Sequence, residues 1–97
     1  MQRLLEETIE EKLMTLNEWE FEDNEVDQLT KEFKFNSFGE GVDFINKVRE
    51  IADELGHYPD VLISEFGVEI LLYTPDVDGI SEKDFELAFK IDSLDFE

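Results

Sequence analysis

Hydrophobic positions along the chain change their period several times, and each change marks an element boundary. Leu5, Ile9, Leu13 and Leu16 recur at helical spacing with acids on the opposite face, predicting a helix over about 6–16. The run Glu18-Trp19-Glu20-Phe21-Glu22 then alternates with period two, which predicts a short strand burying Trp19 and Phe21. Asp23-Asn24-Glu25 supplies turn chemistry. A second strand is expected over about 26–35, where Leu29, Phe33 and Phe35 keep the alternation. Ser37 and Glu40 have the spacing of a capping box. The helix they open places Phe38, Val42, Ile45, Val48 (or Arg49), Ala52 and Leu55 on one face, and Gly56 stands where a left-handed residue ends it.

The second half repeats the hairpin-then-helix order. Strands are expected over about 61–65 and 68–74, separated by a turn around Phe66-Gly67. Pro75-Asp76-Val77-Asp78-Gly79 reads as a loop. Ser81-Glu82-Lys83-Asp84 repeats the Ser-x-x-acid cap and opens a last helix with Phe85, Leu87, Ala88, Ile91 and Leu94 inward. The order α-β-β-α-β-β-α predicts an α+β fold, a four-stranded antiparallel sheet with helices packed on one face. Without a repeat, a low-complexity stretch or a linker, one domain over 1–97 is expected.

Composition removes whole classes of function. Eight Lys plus Arg against 27 Asp plus Glu leave a formal charge of −19. Phosphate backbones and anionic membrane surfaces are bound through Lys and Arg, so neither nucleic acid nor membrane is an expected partner. A hydrophobic content of 41% with nine Phe argues for a packed core in place of disorder. With no cysteine and one histidine, thiolate zinc sites, a Cys nucleophile and an HExxH motif are excluded, and no cofactor is expected. No apolar run approaches the ~20 residues of a membrane span, and a cytoplasmic protein, or a stromal one in a eukaryote, is expected.

Candidate chemistry centres on His57-Tyr58-Pro59-Asp60, where the central helix hands over to a strand. Histidine exchanges protons near neutrality and so suits acid–base work. The competing assignment is a helix C-terminal histidine favoured by the dipole and by Asp53 and Glu54. The segment 74–79 resembles part of a calcium loop, but Phe85 occupies the position of the bidentate Glu, so a polar turn is the better assignment. Six carboxylates between Glu18 and Asp27 alternate with Trp19 and Phe21 and are expected on a solvated strand face. Phe33, Phe35, Phe38 and Phe44 are expected in the core.

These residues resemble the pterin-4a-carbinolamine dehydratase family. The resemblance begins at Trp19 and runs through Phe33-x-Phe35-x-x-Phe38, Phe44, Val48, Ala52 and His57-Tyr58-Pro59-Asp60. It closes with Thr74, Gly79-Ile80-Ser81-x-x-Asp84 and Leu87-Ala88-x-x-Ile91. The family signature looks like acid-x-x-x-His-His-Pro, followed by Thr-His ahead of a Gly-Leu-Thr-x-x-Asp turn. Its members use three histidines to expel the 4a-hydroxyl of a hydroxylated tetrahydropterin. By this resemblance His57 is the catalytic residue if the chain is active, and Asp53, Tyr58, Pro59, Asp60, Thr74, Pro75 and Asp84 belong to the pterin pocket. Tyr58 stands at the second histidine position and Pro75 at the third.

A phenol with a pKa of ~10 is a poor base at neutrality, and Pro offers no side-chain donor or acceptor. The resemblance therefore implies a protein with lost or strongly reduced turnover that acts as an interaction module. Relatives of this fold serve as a transcription-factor cofactor or as Rubisco assembly factors. An active dehydratase using His57, and a pterin-binding sensor, are the alternatives. A homodimer is expected, or a tetramer as in the family, with the edge supplied by the strand at 68–73. The acidic surface favours a protein client with a basic surface.

Overall fold

The computed structural model describes residues 1–23 and 25–94, so Asn24 of the expected first turn lies outside the described residues. The elements are α1 (Glu6–Leu13), β1 (Glu20–Asp23), β2 (Asp27–Lys34), α2 (Phe38–Leu55), β3 (Asp60–Ser64), β4 (Gly67–Leu72) and α3 (Glu82–Asp92), in the expected α+β order. A 3-10 turn over Pro75–Val77 interrupts the loop before α3, closed by an isolated bridge between Thr74 and Gly79. The first helix ends at Leu13, short of the predicted 16.

All strand pairs are antiparallel, in the order β1-β2-β4-β3. The second hairpin inserts its later strand beside β2, with Leu29 opposite Leu72 and Phe33 opposite Val68. The strand expected to form the dimer edge, 68–73, is therefore central, and β1 and β3 are the edges. The physical reason lies in burial. Val68, Ile70 and Leu72 are fully covered, whereas β3 is exposed at four of its five positions. The more apolar strand takes the inner place.

Alternation sends Leu29, Val68, Ile70 and Leu72 toward the helices, where Phe44, Val48, Leu87, Ala88 and Ile91 close the core. Burying one such side chain contributes about 1.5–3 kcal/mol. The helices lie on that one face of the sheet, α2 and α3 packing on each other.

The inward stripe of α2 is Gly41, Phe44, Val48 and Ala52. Phe38 and Val42, expected inward, are exposed instead. Gly41 explains the shift. A Cβ there would meet Val68 Cγ2 at 3.2 Å, so the helix approaches the sheet through its glycine and turns Phe38 and Val42 aside. Leu5, expected on the apolar face of α1, is also exposed, whereas Ile9 is buried.

Trp19 and Phe21 join the core as expected. Beside them Lys31 is held by Asn17 carbonyl at 2.6 Å and by Asp92 Oδ1 at 2.9 Å, and Trp19 Nε1 donates to Asp92 Oδ2 at 3.0 Å. This group ties the first loop and β2 to the end of α3. Among the described residues no helix is long and apolar enough to cross a membrane.

Candidate functional site

The site forms where two caps meet. Gly56 ends α2 at φ 65°, and the Gly56 and His57 N–H groups both turn back to the Ala52 carbonyl. The reversal carries His57 beneath the loop that follows β4, where the residue is 8% exposed. The start of α3 arrives from the other side. Ser81 is its N-cap, and a reciprocal capping box fixes the Asp84 side chain against the Ser81 N–H at 3.0 Å.

Asp84 is fully buried and does more than cap. Its Oδ1 lies 2.6 Å from His57 Nε2, and its Oδ2 accepts from Thr74 Oγ1 at 2.7 Å. Thr74 Oγ1 is also 2.7 Å from Ser81 Oγ. Thr74 has one hydroxyl hydrogen, and it is committed to Asp84, so Ser81 is the donor in that pair. An ionised carboxylate can only accept, so His57 donates through Nε2. In the neutral ring this leaves Nδ1 with the lone pair. The carboxylate thus selects the tautomer of the histidine it holds. No buried side-chain nitrogen or oxygen among the described residues lacks a partner.

Above this network is a cavity of about 440 Å³, lined by Met1, Gly56, His57, Tyr58, Thr74, Pro75, Asp76 and Lys83. The volume is in the range of small-molecule sites. Leu4 N–H donates to the Ile80 carbonyl at 2.8 Å, laying the N-terminal residues along the loop and bringing Met1 to the cavity. Lys83 donates from Nζ to the Leu55 carbonyl at 3.3 Å, where a cation complements the C-terminal end of α2.

The residues singled out from the sequence fall into three places. His57, Tyr58, Thr74 and Pro75 line the cavity, and Asp84 lies under it, bonded to two of them. Asp53 stands outside, accepting from the Tyr58 hydroxyl at 2.8 Å and pairing with Arg49 at 3.6 Å. That hydrogen bond, then desolvation and the Asp53 charge, hold the exposed phenol above its ordinary pKa. Asp60 opens β3 and lines a different depression with Tyr73, and Pro59 lines neither. Ser81, Lys83 and Met1 were not singled out as site residues. Ser81 was legible only as a cap, and nothing in the local pattern announces its hydroxyl as part of the Asp84 network.

The acids of the 18–27 run are exposed or half-buried, as a solvated face requires. The Asp27 carboxyl is held above its ordinary value by burial and by Asp23 opposite it in the hairpin, against Arg3.

A family model described as pterin 4 alpha carbinolamine dehydratase matches residues 2–94. The chain belongs to this family. Relatives named for the same dehydratase include one from Sulfurisphaera tokodaii, 43% identical over 97% of this chain and 98% of its own length. Another, from Sulfolobus acidocaldarius, is 40% identical over 95% of this chain and 98% of its own. Among solved structures, a transcriptional coactivator/pterin dehydratase from Brucella melitensis superposes with a TM-score of 0.87 at 28% identity, covering 94% of this chain and 96% of that one. A pterin dehydratase-like protein identified as a RuBisCO assembly factor in the alpha-carboxysome superposes with a TM-score of 0.66 at 20% identity. That match covers 79% of this chain and 88% of the other, a likeness of fold alone.

Proposed function

We propose that this member of the pterin dehydratase family has lost or strongly reduced turnover and works as a protein-interaction module. Dehydration breaks the C4a–OH bond. An acid must protonate the departing hydroxyl as it becomes water, and a base must take the N5 proton. The observation that carries the proposal is the placement of Tyr58. Its hydroxyl is directed to Asp53, and its proton is held more tightly than in a free phenol. Pro75 contributes no polar side-chain group to the same cavity. His57 is then left to serve both proton transfers from one ring. The name of one structural neighbour, a transcriptional coactivator/pterin dehydratase, supports an interaction role. The client is a protein with a basic surface, the chain acts as a homodimer, and it works in the cytoplasm.

The test is the appearance of quinonoid dihydropterin from 4a-hydroxytetrahydropterin in the presence of purified protein. The expected rate is close to the spontaneous one. An acceleration on the order of a hundredfold, the least a positioned acid or base contributes, abolished by His57→Ala, would overturn the proposal.

One observation favours a second function, dehydration by His57 alone. The His57–Asp84 pair at 2.6 Å orients an imidazole at a cavity large enough for a bicyclic substrate. Asp84 would stabilise the imidazolium after N5 deprotonation, and the same proton could then return to the leaving hydroxyl. The same assay decides between the two.

A further inference from the structure

The sheet face without helices is open and acidic. Strand alternation turns five acids to it, Glu20, Glu22, Glu32, Asp60 and Glu69, against Lys34 as the cation among the described strand residues. Glu32 and Glu69 are direct cross-strand partners on the two central strands. Like charges so placed oppose folding. Lys34 offsets Glu32 at 3.2 Å, but through two exposed side chains.

Two depressions mark the same face. One, of about 210 Å³, has the Glu32 and Glu69 carboxylates beside Leu62, which is 61% exposed. The other, of about 450 Å³, has Glu25 and Asp60 beside the Tyr73 ring. Each sets a pair of carboxylates against an apolar or aromatic wall. Lys and Arg fit this combination, because they lay their methylene stems on apolar surface while the charged head seeks acceptors. A cation can also sit over the tyrosine ring.

We propose that this open face docks a basic polypeptide segment of a partner protein, with Lys or Arg heads at the two carboxylate pairs and their stems along Leu62 and Tyr73. The inference rests on the interaction module proposed above and names its surface. Charge decides against a second copy of this chain as the occupant, since the same five acids would then meet their own kind.

The experiment uses a fluorescent Arg-Ala repeat peptide of about eight residues, long enough when extended to cross strands spaced ~4.8 Å apart. Anisotropy is read at about 50 mM salt and again at about 300 mM, where exposed charges are screened. The double variant E32Q/E69Q is expected to weaken binding about tenfold at low salt. The variant E50Q/E54Q on the exposed side of α2 removes the same charge and is expected to weaken it less than about twofold. Equal weakening by both would reduce the effect to net charge and overturn the proposal. So would a footprint of amide shifts on α2 or α3 in place of residues 30–32 and 69–71. A change in sedimentation of E32Q/E69Q from dimer to monomer would assign the face to a second copy and overturn it as well. Turnover assays on the same variant keep the two proposals apart. No turnover and no peptide binding discards this surface alone, whereas full turnover discards the non-enzymatic role whatever the peptide does.

Discussion

His57, Thr74, Ser81 and Asp84 at the base of the cavity are buried and bonded to one another at 2.6–2.7 Å, whereas Tyr58, Pro75 and Asp76 at its rim are exposed. At the base, Asp84 takes its donors from the end of α2, the end of β4 and the start of α3, so a single carboxylate joins three parts of the chain. At the rim, Tyr58 donates to Asp53, itself exposed. Burial raises the cost of an unpartnered group, so a change at one member of the base leaves at least one buried neighbour without a bond. The rim can change freely. Tyr58 and Pro75, the two residues on which the proposed loss of turnover rests, are both rim positions. Substitution at either is expected to cost the fold little.

The largest break in that contrast comes from Asp84→Ala. It leaves the His57 Nε2–H, the Thr74 hydroxyl and the Ser81 N–H without their acceptor and removes half of the capping box. A loss of about 3 kcal/mol or more is expected in urea unfolding followed by Trp19 fluorescence. A loss below about 1 kcal/mol would place the base in the same class as the rim.

Thr74→Val sharpens the contrast with a smaller effect. The shape is nearly kept, and the backbone bridge from Thr74 to Gly79 remains available. What disappears is the hydroxyl that relays Ser81 to Asp84. A loss of about 1–2 kcal/mol is expected by the same measurement, because the Asp84 carboxylate keeps His57 and the Ser81 N–H.

The parts of this network were unequally legible in the sequence. Ser37, Gly56 and Ser81 declare helix ends through local chemistry, and the caps lie where that chemistry puts them. The order of elements followed from changes of period. The pairing of β2 with β4 did not, since a hairpin read locally says nothing about which strand meets the rest of the sheet. The inward face of α2 was misread for a related reason. Phe38 and Val42 match helical periodicity, but Gly41, which carries no hydrophobic signal, sets the rotation through its contact with Val68. Asp84 was visible as a cap. Its bond to His57 joins residues 27 positions apart and depends on the packing of α2 against α3.

The smallest effect is expected at Tyr58, and it tests the rim directly. Tyr58→Phe should leave the urea midpoint at neutral pH unchanged, since the side chain is 60% exposed and its bond to Asp53 competes with water. The phenol itself should still report its neighbour. Its pKa is raised by the hydrogen bond to Asp53, by desolvation and by the Asp53 charge, all of which favour the protonated form. Any stabilisation from this bond is present below the unfolded pKa of ~10 and is lost as pH rises through the higher folded value. The chain has two tyrosines, so subtracting the ultraviolet titration of Tyr58→Phe from that of wild type isolates this phenol from Tyr73. Ionisation above the ordinary range is expected in wild type and a return toward it in Asp53→Asn. A phenol that ionised below its ordinary value would give up its proton more readily than a free one. The rim would then hold a second acid, and the contrast between a fixed base and an idle rim would fail at the residue on which the proposed loss of turnover depends.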